Sequence, residues 1–201
     1  MKAAVGCLAV LLLVCGIAGF YVFGLFNGLV SANEEVGKAW ANVETAYQRR
    51  ADLIPNLVAT VKGASEFEQE TLNQVIEARS QATQVGIEAT PELLNDPRAF
   101  ARFQAAQDSL SSALSRLLVV VERYPELKAV AAYQDLLVQL EGTENRISVE
   151  RNRFNEAARG FNTRIKRVPA AWLIGWLSWD FNEKSYFASQ PGAEEVPKVE
   201  F

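Results

Sequence analysis

Glu144 and Arg151 are the side chains of this sequence best placed to do chemistry. Seven residues apart, both fall on an otherwise apolar helical seam, and Gln107 interrupts a second seam in the same way. Charges on such a seam act as a polar layer that fixes helix register and partner, or as the anchor of a ligand or ion inside the helices. The preferred reading is the structural layer. A Glu144→Leu substitution separates the two, because an apolar replacement of merely structural charge is expected to leave the fold intact or more stable. Catalysis finds less support. The chain has no histidine, which removes Ser-His and Cys-His pairs, the usual zinc sites and the Glu-x-x-His ligands of helical di-iron bundles. There is no Gly-rich phosphate loop. No catalytic, cofactor-binding or metal-binding residue is assigned, and the chain is expected not to be an enzyme.

The elements that must position these residues are helices. Leu29, Val36, Trp40, Val43 and Tyr47 lie on one face of a first helix. Asp52 is read as the cap of a second, with Pro55 in its first turn, where a missing N–H costs little. Leu57, Val61, Ala64, Leu72 and Val75 continue its apolar face toward Val85. Residues 90–97 form a connection that ends in Asp96-Pro97, an N-cap and first-position pair. The third helix carries Phe100, Phe103, Leu110, Leu114, Leu117, Val121 and Tyr124, and Tyr124-Pro125 stops it. The fourth runs from about Glu126 to Arg167. Its seam reads Val130, Tyr133, Leu137, Leu140, Glu144, Ile147, Arg151, Phe154, Ala158, Phe161 and Ile165, at spacings of three and four. No strand-like alternation competes. Gly142 beside Glu144 is read as a place where a neighbouring helix comes close.

Ala3 to Phe26 is a run of 24 residues without a charge. As a helix it spans about 36 Å, enough for a hydrocarbon core of about 30 Å. A cleaved secretory signal has a shorter apolar region. A lipoprotein reading founders on Val14, which is bulky where a small residue should precede Cys15. The run is therefore read as an intact single span, with Tyr21 and the phenylalanines near one interface. Gly24 and Gly28 are read as tolerated glycines, not as a helix-pairing motif. The basic residues flanking the span favour, slightly, a cytoplasmic N-terminus and an extracytoplasmic body.

The expected fold is all-α: a transmembrane anchor over 1–28 continuing into an elongated antiparallel four-helix bundle over 29–167. An aromatic segment over 168–188 and a loose acidic tail over 189–201 follow. The net charge of −4 argues against a nucleic-acid partner held by phosphate contacts. Both cysteines, Cys7 and Cys15, lie in the span, so the body has no disulfide to report its compartment.

Several segments together resemble the LemA family of bacterial membrane proteins. The strongest runs from Arg49-Arg50-Ala51-Asp52-Leu53-Ile54-Pro55-Asn56-Leu57-Val58 to Val61-Lys62-Gly63. Thr71-Leu72 with Val75-Ile76-Glu77-Ala78-Arg79, Leu114-Ser115-Arg116-Leu117-Leu118 and Tyr124-Pro125-Glu126-Leu127-Lys128 follow in order. Leu140-Glu141-Gly142-Thr143-Glu144-Asn145-Arg146-Ile147 and Tyr186-Phe187 complete the set. The resemblance covers roughly residues 27–188 and implies one N-terminal span followed by a helical bundle. It implies no agreed activity, and it favours the opposite orientation, with the small N-terminus outside. The three tryptophans after Val168-Pro169 depart from the smaller apolar residues and phenylalanines expected there.

Four antiparallel helices return the chain to the membrane at Arg167. Arg159, Arg164, Lys166 and Arg167 then precede Trp172, Trp176 and Trp179. Basic residues beside Trp-rich apolar surface describe a membrane-interface element. The competing reading, slightly preferred, has the aromatics folding over the open end of the bundle while the basic residues complement the helix dipole. The functional expectation is a scaffold or interaction protein of the bacterial cell envelope in the cytoplasmic (inner) membrane. Its expected partners are the lipid bilayer, envelope proteins and, as a homo-oligomer, a second copy of itself. The alternatives are a ligand-sensing module built on the Glu144–Arg151 layer and a homo-oligomeric membrane assembly.

Overall fold

The computed structural model describes residues 2–63, 68–87 and 91–188, so the tail from 189 lies outside the described residues. Among the described residues the chain is all helix and connection, without a strand. The elements are α1 (Lys2–Lys62), α2 (Gln69–Ile87), a 3-10 turn (Pro91–Asn95) and α3 (Pro97–Val121). After these come α4 (Pro125–Lys128), α5 (Ala131–Lys166) and α6 (Ala170–Leu177).

The first break differs from the sequence reading. No cap forms at Asp52: α1 runs through Pro55 as one helix of 61 residues. Proline removes one N–H and leaves the carbonyl four residues back without its helical donor. That carbonyl belongs to Ala51, and Arg79 of α2 donates its Nε–H to it at 2.8 Å. Two of the family segments thus meet for a physical reason: the guanidinium replaces the bond that Pro55 removes. In the Pro55→Ala background the helix regains its own donor. Arg79→Ala is therefore expected to cost about 1.5–3 kcal/mol in the parent chain and roughly 1 kcal/mol less beside Pro55→Ala. Urea unfolding of the four variants measures this coupling, and additive costs would exclude it.

The helices pack as two antiparallel pairs, α1 against α5 and α2 against α3. Arg164 meets Gly28 at one end of the first pair, whereas Arg50 meets Glu144 further along. Arg123 bonds Glu68 and Gln107 bonds Ala82 in the second. The apolar seams are where the spacing put them. Leu29, Val36, Trp40, Val43 and Tyr47 are buried, as are Phe100, Phe103, Leu110, Leu114, Leu117 and Val121. Asp96 caps α3 by accepting bonds from the Arg98 and Ala99 amides, with Pro97 in the first position. Those two amide bonds also hold its carboxyl below the usual range.

Two expectations along α5 need correction. The helix starts only after the short α4, so Val130 becomes its N-cap and is exposed instead of buried. Gly142 faces open space, where an added Cβ would meet nothing within 4 Å, so it brings no helix close.

The core is divided. One apolar cluster joins Leu29 to Tyr47 of α1 with Phe100 and Phe103 of α3, Ile147 to Ile165 of α5, and Phe187. The other joins Ile54 to Val61 with Leu72 to Ala82, Leu110 to Val121 and Tyr133 to Leu140. Between them, at the level of residues 47–50, 107–111 and 144–151, the helices meet through polar side chains.

Candidate functional site

That polar belt is the centre of the molecule, and its hub is Arg50. Its side chain is 0% exposed. A guanidinium out of water must find partners or cost several kcal/mol. One terminal nitrogen donates to Ser111 Oγ at 2.6 Å and to Glu144 Oε1 at 2.8 Å. The other donates to Gln107 Oε1 at 2.6 Å and to the Gln107 carbonyl at 3.2 Å. Only Nε lacks a partner among the described residues. Gln107 passes the network on, donating to the Ala82 carbonyl of α2 at 3.3 Å. One arginine of α1 therefore ties together all the long helices of the body.

Arg151 makes the second half of the belt. Its Nε–H donates to the Tyr47 hydroxyl at 2.5 Å and a terminal nitrogen to Asp108 at 2.9 Å. Both guanidinium groups lie over the Tyr47 ring, Arg50 at 5.2 Å and Arg151 at 5.5 Å from its centroid, within cation–π range. Burial pushes the Tyr47 hydroxyl up to about 12, despite the nearby arginines. Burial also works against the Arg151 charge, but Tyr47 and Asp108 outweigh it and raise its affinity for the proton. Near neutral pH neither group exchanges a proton. The belt can hold charge and fix geometry, whereas acid–base work would need a group that titrates there.

The sequence reading placed Gln107, Glu144 and Arg151 in one layer. All three are in the belt, but Glu144 and Arg151 do not pair with each other. Each has its own partner, Arg50 for Glu144 and Asp108 for Arg151. Glu144 is also not buried: its side chain is 41% exposed. This reverses the expected outcome of Glu144→Leu, which would leave Arg50 sealed in the core without its counter-charge. Arg50 itself was visible only as part of a family segment, since one charged residue in an Arg49-Arg50 pair gives no sign of which is inside. Position 50 continues the spacing Val36, Val43, Arg50, Leu57, and that seven-residue step was the available signal.

The remaining segment residues divide by helix face. Ile54, Leu57 and Thr143 are buried and Leu53 is half-buried, whereas Asp52, Pro55, Asn56, Glu141, Gly142, Asn145 and Arg146 are exposed. Glu44 is partly buried beside the belt; burial raises its carboxyl, against a hydrogen bond with Trp40.

The aromatic segment is the second region of interest. After α6 the chain runs back along α5 without helix, held by side-chain amides. Asn162 accepts from the Lys184 amide at 2.8 Å and donates to its carbonyl at 2.8 Å. Asn155 does the same with Phe187, at 2.9 and 3.0 Å, and Gln104 with Ala188, at 3.1 and 3.3 Å. These amides mimic a neighbouring strand. Trp179 and Phe181 pack on Phe26, with ring centroids 4.9 and 5.8 Å away. Trp172 and Trp176 remain outside, 71% and 81% exposed. Lys166 pairs with Glu183, and Arg164 donates to the Gly28 carbonyl at 3.3 Å.

The fold and its belt define an all-α, membrane-associated protein. Its N-terminal helix is long and apolar enough to cross a bilayer, and its body is welded by buried arginine. The chain belongs to the LemA family, whose model matches residues 39–201. It is similar to the Magnetosome protein MamQ of Magnetospirillum gryphiswaldense, 26% identical over 183 residues, covering 84% of this chain and 66% of that protein. The Magnetosome protein MamQ 2 of Paramagnetospirillum magneticum gives the same identity and coverage. Protein LemA of Metamycoplasma hominis is 25% identical over 154 residues, covering 77% of this chain and 65% of that protein. The chain thus spans just under two thirds of the length of these curated relatives.

Proposed function

We propose that this protein is a single-pass membrane-anchored scaffold of the bacterial cell envelope, without catalytic activity, whose helical body offers faces to protein partners. The observation that carries this reading is the continuity of α1. One helix joins the charge-free run to the buried belt residues Tyr47 and Arg50 with no linker between them. A helix without a hinge transmits orientation, so the body stands at a fixed angle to whatever holds residues 3–26. The body is assigned to the extracytoplasmic side. Its partner-facing positions are the exposed apolar side chains Ile76, Val119, Val138 and Val149, which core packing leaves unused.

Photo-crosslinking in native membranes tests this. Reactive residues at Val119, Val138 and Val149 are expected to trap the same protein partners, or a second copy, repeatedly. A chain that gives only monomer bands at every position is not a scaffold. With Cys7 and Cys15 replaced, Val119→Cys in intact cells is expected to react with an impermeant thiol reagent, and protection until lysis would place the body on the other side.

A second reading, a ligand-sensing module, draws on one feature. An open groove of about 410 Å³ runs between α3 and α5, floored by Leu114, Leu118, Leu137 and Leu140 and edged by Glu141 and Glu144. A ligand there would touch the exposed carboxylate of the Arg50 pair, and its signature would be a rise in Tm that Glu144→Gln abolishes.

A further inference from the structure

We infer that α6 is an interfacial helix that lays Trp172 and Trp176 onto the lipid headgroup surface beside the point where α1 leaves the bilayer. The inference rests on the reading of α1 as a membrane span.

Three observations converge. The first is the division of faces within α6. Ala170 and Ile174 pack into the apolar cluster that also takes in Leu25. Residues two positions further on point the opposite way, at about 100° per residue, and these are Trp172 and Trp176. At 71% and 81% exposure, both indoles meet nothing among the described residues that covers them. Of the other aromatics of the segment, Trp179, Phe181 and Phe187 have ring partners at 4.9–6.3 Å, and the Tyr186 hydroxyl accepts from Asn162 at 2.8 Å. The segment therefore splits: four aromatics hold it to the body and two are left over on one face.

The second is level along α1. Trp179 stacks edge-on against Phe26, the last residue of the apolar run that Asn27 ends, and Arg164 bonds the carbonyl of Gly28. The last 20 residues of that run would fill a hydrocarbon core of about 30 Å, which puts Phe26 at its edge. Anything packed on Phe26 then lies among the headgroups, the depth at which tryptophan is enriched.

The third is charge. Residues 159–188 contain five basic side chains, Arg159, Arg164, Lys166, Arg167 and Lys184, against Asp180 and Glu183. Lys166 is matched by Glu183. Arg159, Arg164 and Arg167 are exposed and leave residues 159–188 net positive, although the whole chain is −4. A locally basic, Trp-bearing face on an acidic protein fits an anionic lipid surface.

The test uses the full chain reconstituted into vesicles of phosphatidylcholine and phosphatidylglycerol, with or without bromine on the acyl chains. Bromine quenches only indoles that reach the lipid. Trp40 is buried and Trp179 is half-covered, so the difference between the parent and Trp172→Phe/Trp176→Phe isolates the exposed pair. The parent is expected to lose about two-fold more emission than the double variant, with stronger quenching from bromine near the headgroups than near the bilayer centre. Equal quenching of both chains overturns the inference. So does emission shielded from bromine in a way that depends on protein concentration, which would assign the pair to a second copy. Flotation of the same samples reports the span independently. A chain that floats but is not quenched loses only the α6 contact, whereas a chain that fails to float loses both.

Discussion

Arg50→Ala is expected to lower the stability of the body by about 3–5 kcal/mol, because it breaks a buried charged network from one side. At roughly 2–4 °C per kcal/mol for a domain of this size, Tm falls by about 6–20 °C. Four bonds are lost at once, and Gln107, 5% exposed, keeps a side-chain oxygen with no other donor among the described residues. Arg50→Lys keeps the charge but not the two-pronged donor geometry that reaches α3 and α5 together, so it should recover only part of the loss. Glu144→Leu is expected to destabilise as well, by leaving the Arg50 charge uncompensated. The discriminating variant is the double Arg50→Ala/Glu144→Leu, which removes both charges of the pair and leaves Gln107 and Ser111 without their charged partner. It should be more stable than the sum of the two single costs implies. Thermal and urea unfolding followed by circular dichroism in detergent reads all four chains. A Tm for Arg50→Ala within a degree or two of the parent would mean the belt is not under tension from burial.

The belt also explains how much of this molecule was legible beforehand. Apolar spacing is a local signal, so the seams of Val36 to Tyr47 and Phe100 to Val121 came through, as did the Asp96-Pro97 start of α3. The break at Asp52 failed because Pro55 is usually punctuation. What keeps α1 intact there is Arg79, 28 positions away, and no local rule sees a donor on another helix. Glu144 and Arg151 stand out in the sequence as charges on an apolar seam, yet their partners do not. Arg50 and Asp108 sit on other helices, and periodicity says nothing about which side chains face each other across a bundle. The extended run after α6 was hidden for the same reason. Asn155 and Asn162 stand seven residues apart beside the α5 seam, a repeat that polar surface residues show by chance. Their meaning appears only when the Lys184 and Phe187 backbone lies against them.

Phe187→Ala should have an effect of the same order, about 3–5 kcal/mol for a buried phenylalanine, and a different distribution. Phe187 is the point where the returning segment enters the core. Its ring meets Trp40, Phe100 and Phe154 at 4.9–6.2 Å, and Arg151 lies 4.9 Å above its face. Its backbone is gripped in both directions by Asn155. The substitution therefore opens a void beside the belt and slackens the attachment of residues 179–188. The belt loses an aromatic face for Arg151 but keeps the Tyr47 and Asp108 bonds, so Arg50 and its partners should stay closed. Hydrogen exchange separates the two consequences. The Lys184 and Phe187 amides, which donate to Asn162 and Asn155, are expected to lose protection, while amides of α1 and α3 at the belt lose only what the global drop in stability imposes. Because α6 reaches the core partly through this segment, the Trp172 and Trp176 face would also lose its fixed angle to α1. Uniform loss of protection across the body would instead make Phe187 an ordinary core residue, with the segment and the helices unfolding as one unit.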